Sequence, residues 1–155
     1  MKDYTYRQLA FEEIDSATAL AEKVFMEFEA PEYSQEGINS FLNFIYSQQF
    51  KDYFINSDNI FLGCFDGFKL VGIMAMRSES HVSLAFVDKD YHRRGIATKL
   101  FKLAFAKSKE KGVSEITLNS SPYAVPFYHF LGFYDLDTEQ LTDGIRYIPM
   151  KYIIK

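Results

Sequence analysis

The stretch from Ile60 to Val87 restricts the fold more than any other part of the chain, because three strand-like runs follow one another there with no room for a helix. Ile60 to Phe65 and Phe68 to Met76 are apolar runs on either side of Asp66-Gly67, a dipeptide that favours a tight hairpin turn. His81 to Val87 then sets Val82, Leu84 and Phe86 against Ser83, Ala85 and Val87, the two-residue period of a strand with two unlike faces. Immediately downstream the period lengthens. Ile96, Leu100, Leu103 and Ala104 recur at helical spacing, and Lys107, Lys109, Lys111 and Gly112 supply cations for the negative pole and a left-handed cap. A strand around Ile116 and Leu118 follows. Antiparallel strands leading into a strand–helix–strand crossover predict a mixed sheet with helices on both faces and a right-handed crossover.

The flanks complete this plan. Tyr4 to Leu9 alternates as a first strand. Ala17, Leu20, Ala21, Val24, Phe25 and Phe28 mark a helix capped by Asp15 or Ser16 and stopped at Ala30-Pro31. Ile38, Phe41, Leu42 and Ile45 mark a second. Pro122 to Leu131 reads as a short helix ended by Gly132, and closing strands are expected near Phe133 to Asp135 and Arg146 to Ile153. The expected order is β-α-α-β-β-β-α-β-α-β-β, an α/β mixed sheet. No linker, repeat or low-complexity tract interrupts it, so residues 1–155 are expected to form a single domain.

Charge and cysteine content exclude several function classes. A net charge of −4 lacks the basic face that nucleic-acid binding requires, and it suits a cationic partner. The acidic residues Asp135, Asp137, Glu139 and Asp143 near the last loop point the same way. Cys64 is the only cysteine and stands in an apolar strand, where a buried small hydrophobe is expected. His81, His92 and His129 share no ligand spacing, so no metal site is expected. Met1 to Arg7 has no apolar signal core and no apolar run approaches ~18 residues, which predicts a cytoplasmic protein without a membrane segment.

The loop ahead of the long helix carries the first chemical signal. A helix N-terminus presents unpaired N–H groups and about half a positive charge, so it attracts phosphate. Gly95 and Ala97 keep side chains out of the way there, Arg93 and Arg94 add charge, and Thr98 adds a hydroxyl. Neither of the common glycine-rich phosphate motifs occurs in the chain.

Val87-Asp88-Lys89-Asp90-Tyr91-His92-Arg93-Arg94-Gly95-Ile96-Ala97-Thr98-Lys99-Leu100 resembles the acetyl-CoA-binding motif of the GNAT superfamily of N-acetyltransferases. Gly95 and Ala97 match that pattern, whereas His92 stands where the family has Gln or Arg. Downstream, Ala124-Val125-Pro126-Phe127-Tyr128-His129-Phe130-Leu131-Gly132-Phe133 resembles the family's A-x-x-F-Y-x-x-x-G-F signature.

The resemblance implies a GNAT-like fold and transfer of the acetyl group of acetyl-CoA to an amine by direct attack, with no metal and coenzyme A as product. The acceptor would be a small molecule or peptide, and a homodimer is compatible with the family. It implies Tyr128 as the catalytic phenol beside the thioester sulfur. It implies cofactor contacts from Phe86 and Val87 through main chain, from His92, Arg93, Arg94, Gly95, Ile96, Ala97 and Thr98 in the loop, and from Phe127. Asn119, at the end of its strand, suits the pantetheine arm or a helix cap. Glu29 and Tyr33 fall where the family builds its acceptor pocket. Base candidates are Glu29, Glu32, Glu36, Glu79 and Asp88, since an amine near pKa ~10 costs about 4 kcal/mol to deprotonate at pH 7. A non-catalytic acyl-CoA sensor or interaction domain of the same fold is the alternative, and Tyr128 argues against it.

Overall fold

The computed structural model describes residues 3–56 and 58–154. Strand β1 (Thr5–Gln8) leads into helices α1 (Ile14–Phe28), α2 (Gln35–Ile45) and α3 (Gln48–Ile55). Strands β2 (Ile60–Asp66), β3 (Lys69–Arg77) and β4 (His81–Val87) follow, then α4 (Ile96–Glu110), β5 (Glu115–Ser120) and α5 (Val125–Leu131). The chain closes with β6 (Tyr134–Asp135), β7 (Gln140–Thr142) and β8 (Ile145–Ile153). The sheet order is β1-β2-β3-β4-β5-β8-β6, with β7 paired to β8; all pairings are antiparallel except β4 with β5.

Each face of the sheet carries its own core. Leu20, Val24 and Phe25 of α1 pack with Phe50 and Phe54 of α3 on Phe61, Phe65, Ile73 and Phe86. Ile96, Leu100 and Phe101 of α4 pack on Leu62, Cys64, Met74 and Ile116 of the opposite face. Cys64 is fully buried there, as its strand pattern predicts. No helix among the described residues is long and apolar enough to cross a membrane.

Several elements differ from the sequence reading. Helix α3 was not expected; Ser47 caps it and only Phe50 and Phe54 are buried, too sparse a stripe to declare a helix. Strand β7 is too short to register as a pattern. Helix α1 starts earlier than Asp15 or Ser16 would place it, after a 3-10 turn at Phe11–Glu13. There the Glu13 carboxylate accepts from the Ala10 amide at 2.7 Å and pairs with Arg7 at 2.7 Å. The hairpin turn centres on Gly67-Phe68, with Asp66 opposite Lys69 and φ of 61° at Gly67, the backbone that makes glycine suitable at the first central position.

The main correction concerns β4. Val82 does not share a face with Leu84 and Phe86: it belongs to the α4 core, they to the α1 core. The cause is a bulge. Ala75 lies opposite Leu84 and Met76 opposite Val82, so Ser83 is an extra residue that shifts the alternation.

Candidate active site

The bulge also fixes where the sheet opens. Strands β4 and β5 are paired only at His81 with Thr117 and Val82 with Leu118; from Ser83 and Asn119 onward they part. Bulges bend and twist a strand, and this one sits where the separation begins. The gap continues between the helices as a cleft of about 970 Å³, lined by β4, the N-terminus of α4, β5, α5, the end of α1 and the β7–β8 hairpin.

At one end the lining includes the N-terminus of α4, whose first amides lack helical partners. Gly95 caps α4 with φ of 77°, a left-handed backbone, and a Cβ added there would meet nothing within 4 Å. Arg93 also has positive φ, 63°, and lines the cleft with Ile96, Ala97 and Thr98. The Asp88 amide bonds the Val71 carbonyl at 2.8 Å, so by strand alternation Phe86 turns its backbone toward β3 and Val87 turns its own toward the opening. The ring of Phe86 still lines the cleft, against Phe41. His92 Nε2 donates to the Val87 carbonyl at 2.8 Å, because a carbonyl only accepts, and its ring packs on Phe28 at 5.1 Å. His92 thus ties the loop to the end of β4. Arg94 lies apart from the group: its guanidinium donates to the Tyr4 hydroxyl at 2.9 Å, sits over Tyr91 at 5.1 Å and does not line the cleft.

Asn119 lines the opening from β5, and the cap of the next turn falls to Ser121, which accepts from the Ala124 amide. Phe127 and Tyr128 enter from α5. Tyr128 is buried between Phe101, Phe127 and Phe133, all edge-on, and lines the cleft. Burial, reinforced by the charge of Glu29, raises the pKa of its phenol well above the ordinary value.

Of the five carboxylates considered as a base, Glu29 alone lines the cleft. It follows the last turn of α1. Burial raises its pKa to about 7, against a hydrogen bond from Ser121 that lowers it, with Glu32 raising it further. Asp88 is buried but held by Lys23 at 3.0 Å and by the Asp90 amide, which keep its carboxyl below the ordinary range despite burial. Glu36 is exposed in the first turn of α2. Glu79 lies at the β3–β4 turn, where its carbonyl accepts from Ser108. Glu32 does not line the cleft, and its carbonyl accepts from Arg146 at 3.1 Å. Tyr33 lines the cleft on the same side as Glu29.

The sequence matches the acetyltransferase (GNAT) domain family over residues 29–154. The chain belongs to the GNAT acetyltransferase family. It is accordingly an acetyl-CoA-dependent N-acyltransferase. Its fold is shared by solved structures spanning almost the whole of both chains. The PaiA N-acetyltransferase from Thermoplasma acidophilum, in complex with coenzyme A, superposes with a TM-score of 0.81 at 23% identity, covering 98% of this chain and 99% of that one. A GCN5-related N-acetyltransferase from Rhodopseudomonas palustris gives 0.85 at 17%, covering 99% and 98%. A GNAT-family acetyltransferase from Staphylococcus aureus gives 0.76 at 15%, covering 99% and 100%. No curated protein sequence matches significantly.

Sequence reasoning missed several residues of this cleft. Ser121, which bonds Glu29, carries no motif beyond its cap position. Phe28 and Tyr123 line the cleft as a stacked pair with centroids 5.4 Å apart, although they are distant in sequence. Gly37 and Gly144 bring α2 and the β7–β8 hairpin into backbone contact: a Cβ at Gly37 would lie 2.2 Å from the Gly144 carbonyl oxygen. A glycine early in a helix was the available signal, since it has no propensity reason to be there.

Proposed function

We propose that the protein acetylates an amine of a small molecule or peptide by direct attack, with Glu29 as the proton acceptor and Tyr128 as the donor at the departing sulfur. One observation carries this reading: a carboxyl group with its pKa raised to about 7 shares a cleft with a buried tyrosine and a helix N-terminus. A base of that pKa works near neutral pH, where it is ionised often enough to act and basic enough to hold a proton.

The cleft fits acetyl-CoA. The Gly95 cradle has open space where a side chain would stand, and Arg93 with the first amides of α4 offers a diphosphate its hydrogen bonds. Asn119 and the backbone of β4 freed by the splay suit the peptide-like groups of the pantetheine arm. When bound, acetyl-CoA supplies a thioester whose carbonyl carbon is the electrophile.

The chain's own residues supply the rest. The Val87 amide, turned to the opening, is the donor for an oxygen that gains charge, and His92 holds that end of β4 in place. Glu29 takes the proton from the attacking nitrogen, and Ser121 orients its carboxylate. Tyr128 keeps its own proton, since its pKa lies above that of a free phenol and much above a thiol near ~8.5. It therefore acts as a hydrogen-bond donor to sulfur more than as a full acid.

The test is direct. Acetyl-CoA binding is measured by calorimetry, and thiol release is followed with a panel of amines. Saturable binding with amine-dependent thiol release supports the reading; absence of acetyl-CoA binding sinks it.

A further inference from the structure

The cleft is polarised along its length. Its cationic lining residue, Arg93, lies with the N-terminus of α4; Glu29 and Asp143 line the side formed by the end of α1 and the β7–β8 hairpin. Glu32 adds negative charge beside Tyr33 at that end, while the charge of Glu139 is offset by Arg146. The nearest cation there is Arg146, and its guanidinium is occupied: Nε and one terminal nitrogen donate to Glu139 at 2.9 and 3.1 Å, and the other donates to the Glu32 carbonyl at 3.1 Å. An acceptor carrying a carboxylate therefore finds two carboxylates and no free cation among the described residues.

The same end is aromatic. Phe25 and Tyr33 pack at 5.6 Å, and the stacked Phe28–Tyr123 pair continues the aromatic wall toward His92, which packs on Phe28 at 5.1 Å. Such rings attract both an apolar body and an ammonium group. At this end α2 and the β7–β8 hairpin also meet. Gly37 and Gly144 hold α2 and the β7–β8 hairpin in backbone contact, and Ser40 donates to the Asp143 carbonyl at 2.9 Å. A wall fixed by backbone contact suits a compact ligand better than a protein chain.

We propose that the acceptor is a small primary amine with an aromatic or similarly apolar body and no carboxylate, seated between the Phe28–Tyr123 pair and Tyr33 with its nitrogen at Glu29. This rests on the acetyltransferase reading for turnover, but binding alone tests it.

Four probes separate the terms: phenethylamine, L-phenylalanine, L-phenylalaninamide and putrescine. Their affinities are measured by calorimetry on the free and the CoA-loaded protein, with acetyl-CoA binding and thiol release in parallel. Phenethylamine and L-phenylalaninamide are expected to bind at least ten-fold more tightly than L-phenylalanine, which differs from them by its carboxylate. Putrescine, lacking the apolar body, is expected to bind at least ten-fold more weakly than phenethylamine. Tyr123→Ala is expected to reduce the preference for phenethylamine over putrescine about five-fold. Equal or tighter binding of L-phenylalanine or putrescine overturns the proposal, as does absence of phenethylamine binding. Phenethylamine binding without thiol release upholds the acceptor class and removes the catalytic reading. Loss of acetyl-CoA binding alone removes the cofactor reading and leaves the amine result to stand.

Discussion

The two ends of the cleft are built by different means. The end toward α4 is made of backbone: a left-handed glycine, a helix N-terminus, and strand amides exposed where β4 and β5 part. The end toward α2 is made of side chains drawn from distant segments, Glu29, Tyr33 and Asp143, with the Phe28–Tyr123 pair running between the two ends. Backbone recognition needs few residue types at fixed spacing, so it leaves a motif. Side-chain recognition assembled through the fold leaves none. The contrast separates what a family shares from what one member selects.

The sharpest way to break the contrast is Glu29→Gln, which should lower kcat/KM about 100-fold, the scale of a positioned base. The wild-type profile should rise with pH through about 7, and the variant should lose that limb. Stability gives the opposite sign. The Glu29 carboxyl is easier to ionise in the unfolded chain than in the folded one, so the native protein loses stability as pH rises from about 4.5 to about 7. Glu29→Gln should therefore melt higher than wild type at pH 8 and equally at pH 4. An unchanged rate would place the base elsewhere.

Gly37→Ala comes next. Its Cβ meets backbone rather than a movable side chain, so it should cost about 2 kcal/mol, or roughly 4–8 °C in Tm by calorimetry. The damage should fall on amine binding and spare acetyl-CoA affinity. Equal losses at both ends would mean that the two are not independent.

Tyr128→Phe should reduce kcat at least ten-fold with acetyl-CoA affinity unchanged, read by steady-state kinetics and calorimetry. Full activity in the Phe variant would remove the phenol from the reaction. The smallest effect is expected at Gly95. Gly95→Ala should cost about 1 kcal/mol for a left-handed backbone, although nothing crowds its Cβ. Gly95→Asn, which tolerates that backbone, should recover stability in denaturant melts but not acetyl-CoA affinity. Recovery of both would show that Gly95 serves only the turn.

The sequence made the backbone end legible for the same reason. Gly95, Ala97 and Tyr128 stand in motifs whose spacing survives without any knowledge of the fold. Glu29 and Tyr33 were reachable through the helix break at Ala30-Pro31 and the family resemblance, with no motif of their own. Choosing Glu29 over Asp88 required the structure, since both are acidic residues at element ends, and it is tertiary packing that puts Glu29 in the cleft and ties Asp88 to Lys23 and the Asp90 amide. Helix α3 stayed hidden because two buried aromatics over eight residues give no clear period. The partners Ser121, Phe28 and Tyr123 meet by tertiary packing, which a local pattern does not record.

Ser83 gives the cleft an unusual kind of robustness. The opening between β4 and β5 begins where one extra residue sits in β4 opposite β3, so it is encoded as a count rather than as a shape. Substitution at almost any position leaves a count intact. Deletion of Ser83, which removes the extra residue, is the change expected to restore the alternation of β4 and narrow the gap.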